Sequence, residues 1–255
     1  MDNGTFVTAG LVLRETETKE SDKILTVLTP ELGRISVIAK GARSRRSKYT
    51  AACQLLAYSE MTLYEKGRWT MLDAADTIEL FDGLRQDLTA LSLAAYFAEL
   101  TEAVSDGCGG DVLPLLLNAL YALSALKKPP QLVKPAFQLR LMALAGYEPM
   151  ADGCALCGAP QPENPMLDVV HGVVHCGKCR EKGGLSLPLT AAGLAALRYV
   201  LYGDPRRLYS FSLPPEGLRA LNHAADAYVS AQLERSFRTL DYYKTILPQE
   251  ETKYE

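Results

Sequence analysis

Short stretches of alternating apolar and polar residues fill the first eighty positions, and a longer period replaces them afterwards. Residues 6–13, 23–28, 34–39, 60–64 and 69–73 each carry the period-two alternation of a half-buried strand. In the third of these, Ile35, Val37 and Ala39 fall on one face and Arg34, Ser36 and Ile38 on the other. Pro30-Glu31-Leu32-Gly33 and Glu65-Lys66-Gly67-Arg68 punctuate the pattern as turns. Five short strands are most economically closed into a small Greek-key barrel, because closure removes unpaired edges. Alternation alone leaves an OB barrel and an SH3-like barrel both open.

Helical periodicity takes over at Asp82, the expected N-cap of a helix on which Leu84, Leu88, Leu91, Ala95 and Ala98 repeat. Gly107-Cys108-Gly109-Gly110 stops it, and Asp111 opens a second helix to about residue 126. Lys127-Lys128-Pro129-Pro130 ends that one, and a third runs over 133–145 to Gly146. Farther on, Thr190 caps a helix to about residue 202, and Pro214-Pro215 precedes a last helical stretch to 246. The predicted class is therefore α+β and multidomain. A barrel spans 1–80, a helical domain spans 81–149 and 185–247, a cysteine-bearing insertion spans 150–184, and a polar acidic tail over 248–255 is expected to be disordered.

The insertion carries the sharpest chemistry. Cys154-Ala155-Leu156-Cys157 and Cys176-Gly177-Lys178-Cys179 are two C-x2-C knuckles separated by 18 residues, within the spacing of a tetrahedral zinc site. Four thiolates close the coordination shell and leave no position for water or substrate, so one structural Zn2+ is expected. His171 and His175 lie inside the loop and are surplus to that shell. Cys53 and Cys108 remain as plain thiols.

Composition narrows the function classes. At 48% hydrophobic and 22% charged residues the chain reads as an ordinary globular protein. Its longest apolar runs are too broken to cross a bilayer, so no membrane association is expected. Met1-Asp2-Asn3-Gly4 shows no signal-peptide pattern, and the paired cysteines read as reduced ligands in a cytoplasm. Net charge is −3, so any nucleic-acid binding must be local. The local feature exists: between Glu31 and Glu60 there is no acidic residue, while Arg34, Lys40, Arg43, Arg45, Arg46 and Lys48 contribute six positive charges. Five of them crowd the segment from Lys40 to Tyr49, after the third strand. Such a loop can neutralise phosphates, and Tyr49, Tyr58, Tyr64 or Trp69 can offer a stacking surface to bases.

Gly10-Leu11-Val12-Leu13, Lys19-Glu20-Ser21-Asp22-Lys23-Ile24-Leu25, Thr29-Pro30-Glu31-Leu32-Gly33 and Ala39-Lys40-Gly41-Ala42-Arg43 together resemble the amino-terminal domain of the bacterial RecO recombination mediators. The resemblance continues through Phe137-Gln138-Leu139-Arg140-Leu141, Gly146-Tyr147-Glu148-Pro149 and the two knuckles, which look like those of the zinc-bearing members. It implies an OB-fold barrel, a helical body with a zinc finger, binding of single- and double-stranded DNA, and annealing of complementary strands. It further implies work with RecR, and in many bacteria RecF, to load RecA onto DNA coated by single-stranded-DNA-binding protein (SSB). Arg34, Lys40, Arg43, Arg45, Arg46, Lys48 and Tyr49 become the expected DNA contacts. Lys134 and Arg140 are the candidates for gripping the acidic SSB tail. Two other readings stand beside this one. A zinc hydrolase would need an open metal, and no H-E-x-x-H, G-x-S-x-G or phosphate-loop motif occurs. A zinc-ribbon and barrel scaffold that binds protein instead of DNA is the main alternative.

Overall fold

The computed structural model describes residues 4–105, 109–179 and 184–247. The expected tail, Cys108 and residues 180–183 of the expected zinc segment lie outside them. The chain divides into two compact units, Met1–Ala125 with Phe237–Glu255, and Leu126–Ser236.

The first unit begins with β1 (Thr5–Thr18), β2 (Asp22–Thr29), β3 (Gly33–Ala39), β4 (Tyr58–Lys66) and β5 (Trp69–Glu79), each covering one predicted alternation and extending it. They close a barrel in the order β1-β2-β3-β5-β4. Every pairing is antiparallel except β3 with β5, where Val37 faces Thr70 and Ile38 faces Met71. That connectivity is the OB type, which decides the question the alternation left open. The register pairs Leu25 with Val37 and Val27 with Ile35 on the inner face, where they meet Val12, Met61, Leu63 and Leu72 in the barrel core. Their alternates, Ile24 opposite Ile38 and Thr26 opposite Ser36, turn outward.

The helices differ from expectation at two breaks. Asp82 does not cap a long helix: Phe81, in the left-handed region at φ 52, precedes the single turn α1 (Asp82–Arg85). The long helix α2 (Leu88–Val104) starts afresh at Asp87, whose side chain accepts from the backbone N–H of Thr89 and Ala90 at 2.9 and 3.2 Å. The restart rotates the buried face onto Ala90, Leu93, Ala94, Phe97 and Leu100, leaving the expected core residue Leu88 58% exposed. Next comes α3 (Gly109–Ser124).

The second unit holds α4 (Pro130–Leu144), with proline at its first turn where the missing N–H costs nothing. A small sheet follows, β6 (Pro165–Asp168), β7 (Val173–Cys176) and β8 (Ser186–Pro188), ordered β7-β6-β8. Thr190 caps α5 (Ala191–Tyr202) as predicted, its hydroxyl accepting from Gly193 N–H at 2.9 Å. The stretch from Pro215 is not one helix: α6 (Pro215–Leu233) ends at Glu234 in the left-handed region, φ 49. The chain then returns to the first unit as α7 (Arg238–Ile246), which packs on α2 with Phe237 edge-on to Tyr96 at 5.7 Å. Thr239 N–H also donates to the Glu99 carboxylate at 3.2 Å.

The relocated cap gives a test. Asp87→Ala should lower the stability of the first unit by about 1 kcal/mol, read as a lower urea midpoint at unchanged slope. An unaltered midpoint would mean that the helix does not depend on this cap.

Candidate nucleic-acid interface and metal centre

β3 runs directly into the basic segment, an irregular chain of turns from Lys40 to Ala57 that leads to β4. Its base is tied to the β1–β2 hairpin: Gly41 N–H donates to the Asp22 carboxylate at 2.8 Å, and Arg43 N–H to the Ser21 carbonyl at 3.0 Å. Tyr49 braces it from within. The ring packs against the barrel core and the hydroxyl donates to the Lys40 carbonyl at 2.5 Å, and burial, ahead of the nearby acidic groups, raises its pKa. Farther along the same segment Cys53 is a core thiol, fully buried and with a pKa raised to about 11, chiefly by burial.

The expected DNA contacts therefore separate into four kinds. Lys40, Arg45, Arg46 and Lys48 are exposed, and among the described residues none of these four forms an ion pair. Arg43 is also exposed, but it is held by Glu17 at 2.9 Å and donates to the Glu20 carbonyl at 3.3 Å. Arg34 is drawn aside, donating to the Glu102 carbonyl in the last turn of α2 at 3.0 Å, where the negative end of the helix dipole favours a cation. Tyr49 serves as a brace within the loop, half-buried against the barrel core. An exposed aromatic exists elsewhere: Trp69, 48% accessible, carries the Arg68 guanidinium 5.1 Å above its ring.

The two cations considered for an acidic tail are engaged inside the second unit. Lys134, on α4, is 5% exposed and bonds both carboxylate oxygens of Asp226 on α6, at 2.8 and 2.9 Å. Gln138 donates to the same carboxylate at 2.9 Å. Arg140 caps the end of α5 by donating to the carbonyls of Val200, at 3.3 Å, and Leu201.

The cysteines come together as their spacing predicts. The ligand atoms of Cys154, Cys157, Cys176 and Cys179 all lie within 4.8 Å of one another, and the Cys157 and Cys176 sulfurs are 3.8 Å apart. A tetrahedron with metal–sulfur bonds of 2.3 Å has an edge of about 3.8 Å, so the thiols fit a tetrahedral divalent ion. Gly158, at φ 73, closes the first knuckle by donating its N–H to the Cys154 carbonyl at 2.9 Å. Burial pushes the Cys154 thiol up, but the N–H groups of Cys157, Cys176 and Leu156 outweigh it and bring the pKa down to about 6. Cys176 and Cys179 are held up, by burial first and then by the neighbouring sulfurs. One thiolate is favoured and further ones are resisted, which is the electrostatic condition that a bound cation relieves.

Neither histidine enters the cluster. His175 is 2% exposed and bridges the Cys176 carbonyl and the Ser186 hydroxyl, each at 2.8 Å, tying the second knuckle to β8. His171 pairs with the buried Asp168 carboxylate at 2.8 Å. The residue that sequence reasoning missed is Arg198 on α5. It donates to the carbonyls of Ala151 at 2.6 Å, Asp152 at 2.9 Å and Pro160 at 2.8 Å, and to the Gln161 side chain at 3.3 Å. These acceptors flank the first knuckle on both sides. A lone arginine on a helix gives no sequence signal for that task.

Comparison with known proteins fits both features. Residues 1–81 match the family model for the recombination protein O N terminal, and residues 85–241 that for the recombination protein O C terminal. The chain belongs to the recombination protein O family. Among curated RecO relatives, the DNA repair protein RecO of Acetivibrio thermocellus is 31% identical over 241 residues, covering 94% of this chain and 96% of that one. Those of Heliobacterium modesticaldum and Anaeromyxobacter dehalogenans are each 34% identical over 244 residues, covering 92% and 94% of this chain and 88% and 96% of theirs. The RecO amino-terminal match coincides with the OB barrel, and the carboxy-terminal match contains the cysteine cluster.

Metal removal tests the cluster. A strong chelator, or Cys176→Ser, should lower the unfolding temperature of the second unit while the barrel retains its own transition. Loss of both transitions together, or of neither, would contradict a metal that organises the second unit alone.

Proposed function

We propose that this protein is a non-catalytic DNA-binding recombination mediator acting in the cytoplasm. It binds single- and double-stranded DNA through the loop that carries Lys40, Arg43, Arg45, Arg46 and Lys48. The observation that carries this reading is the set of exposed cations at one end of a closed OB barrel, of which Lys40, Arg45, Arg46 and Lys48 form no ion pair among the described residues, in a family whose curated relatives are DNA repair proteins. Two strands bound by the same positive surface repel each other less, so complementary bases can meet and anneal. Released counterions supply much of the binding free energy.

The same reading gives the protein RecR as a partner, SSB-coated DNA as a substrate through the SSB tail, RecF in bacteria that use it, and RecA loading as the outcome. The metal is one structural Zn2+, the ion suited to a closed tetrahedral shell of four thiolates. Since Lys134 and Arg140 are bound within the second unit, an acidic tail would be met by other cations. Among the described residues no helix is long and apolar enough to cross a membrane.

The decisive variant replaces Arg43, Arg45, Arg46 and Lys48 together by alanine. Annealing of complementary oligonucleotides should slow by at least tenfold (about 1.4 kcal/mol), with the thermal unfolding profile unchanged. Annealing at the wild-type rate would overturn the assignment of this loop.

A further inference from the structure

Outside the basic loop, one residue is placed against the usual habit of its type. Tryptophan is highly buried on average, yet Trp69 is 48% exposed and lies at the mouth of the barrel, where it pairs with Lys66 across the β4–β5 hairpin. The hairpin turns on Gly67 at φ 63 and then Arg68, a sequence that suits a tight two-residue loop with glycine first. The Arg68 guanidinium stands 5.1 Å from the ring centroid, within range of a cation–π contact. The tip thus combines an aromatic plane with Arg68 and Lys66, against the single acid Glu65.

The barrel topology fixes what lies beside this tip. β5 joins β3 in parallel with Thr70 beside Val37, so Trp69 enters the sheet at the level of Ser36. From there the outward face of β2 and β3 carries Ser36, which is exposed, and Thr26, Ile38 and Ile24, which are half-buried, neutral side chains with no acid among the four. β3 then continues into Lys40 and the basic loop, roughly 13 Å farther along at about 3.3 Å per residue. A single strand lying on an OB fold occupies about 4–16 nucleotides, more than enough to cover both ends of this path.

We propose that Trp69 is a base-stacking residue for single-stranded nucleic acid, with Arg68 supporting the stacked base and the neighbouring phosphate. This rests on the DNA-binding reading of the basic loop and deepens it. The loop contributes charge, which duplex and single strand both satisfy, whereas Trp69 requires an unpaired base and discriminates in favour of single strands. Paired bases inside a duplex keep their faces covered by their own neighbours and offer the ring nothing.

Trp69 is the only tryptophan in the chain, so its emission reports the contact directly in the unmodified protein. The experiment titrates the full chain with a mixed-sequence single strand, and separately with its duplex, while recording tryptophan emission and the anisotropy of a labelled copy of the same DNA. The single strand should quench the emission along the same isotherm as the anisotropy, and the duplex should raise anisotropy with little quenching. Trp69→Ala should weaken single-strand binding by about tenfold and leave duplex affinity within about twofold, and Trp69→Phe should recover part of the loss. Anisotropy that rises while emission stays constant, or unchanged single-strand affinity in Trp69→Ala, would overturn the stacking role and leave the loop's binding intact. No anisotropy change with either DNA would remove the DNA-binding reading itself, and the role of Trp69 with it.

Discussion

Five neighbour pairs close this barrel, and one of them, β3 with β5, runs parallel where the others are antiparallel. The rest of the first unit follows from that junction. Because β3 must reach β5, Leu25, Val27 and Val37 turn inward onto Met61, Leu63 and Leu72, and a one-residue slip would expose all of them. The same junction sets the β4–β5 hairpin, with Trp69 at its foot, beside β3. The far end of β3 releases the chain into the basic loop. A packing requirement inside the barrel therefore arranges both features on its outside.

The loop itself is held by a few specific bonds and by no regular element. Gly41 on Asp22, Arg43 on Ser21 and Tyr49 on Lys40 fix its base. The β1–β2 hairpin that supplies these anchors is acidic, and Glu17 occupies Arg43. In the proposed reading DNA would compete with Glu17 for that one cation, whereas Lys40, Arg45, Arg46 and Lys48 form no ion pair among the described residues. An exposed ion pair of this kind contributes little, about 0–1 kcal/mol, so the competition is a weak one. In the second unit the ordering principle is different. The small sheet β6–β8 is too short to support a large core, and the four thiols, the Arg198 clamp and the His175 bridge take over that task.

The features legible in the sequence were those with a local signature. Alternation located all five strands, the C-x2-C spacing located the thiol cluster, and Thr190 announced its own cap. The breaks at Asp87 and Glu234 were hidden because neither carries glycine or proline, and the residues around them suit a helix. At Asp87 the consequence was a misplaced face, with Leu88 out and Phe97 in. The site residues show the same division. A run of arginines reveals a charged loop, but nothing in the run tells that Arg34 faces a helix end or that Tyr49 turns inward as a brace. Lys134, Arg140 and Arg198 depend on partners at least 37 residues away, and a single sequence has no signal for such pairings.

The central claim is that positive charge on the loop after β3 holds DNA. The most direct measurement is single-strand affinity at a series of salt concentrations. If four side chains each neutralise one phosphate, the logarithm of the binding constant should fall linearly with the logarithm of salt at a slope of about −3. A slope near zero, or no binding at the lowest salt, would contradict the claim and favour a protein-binding barrel.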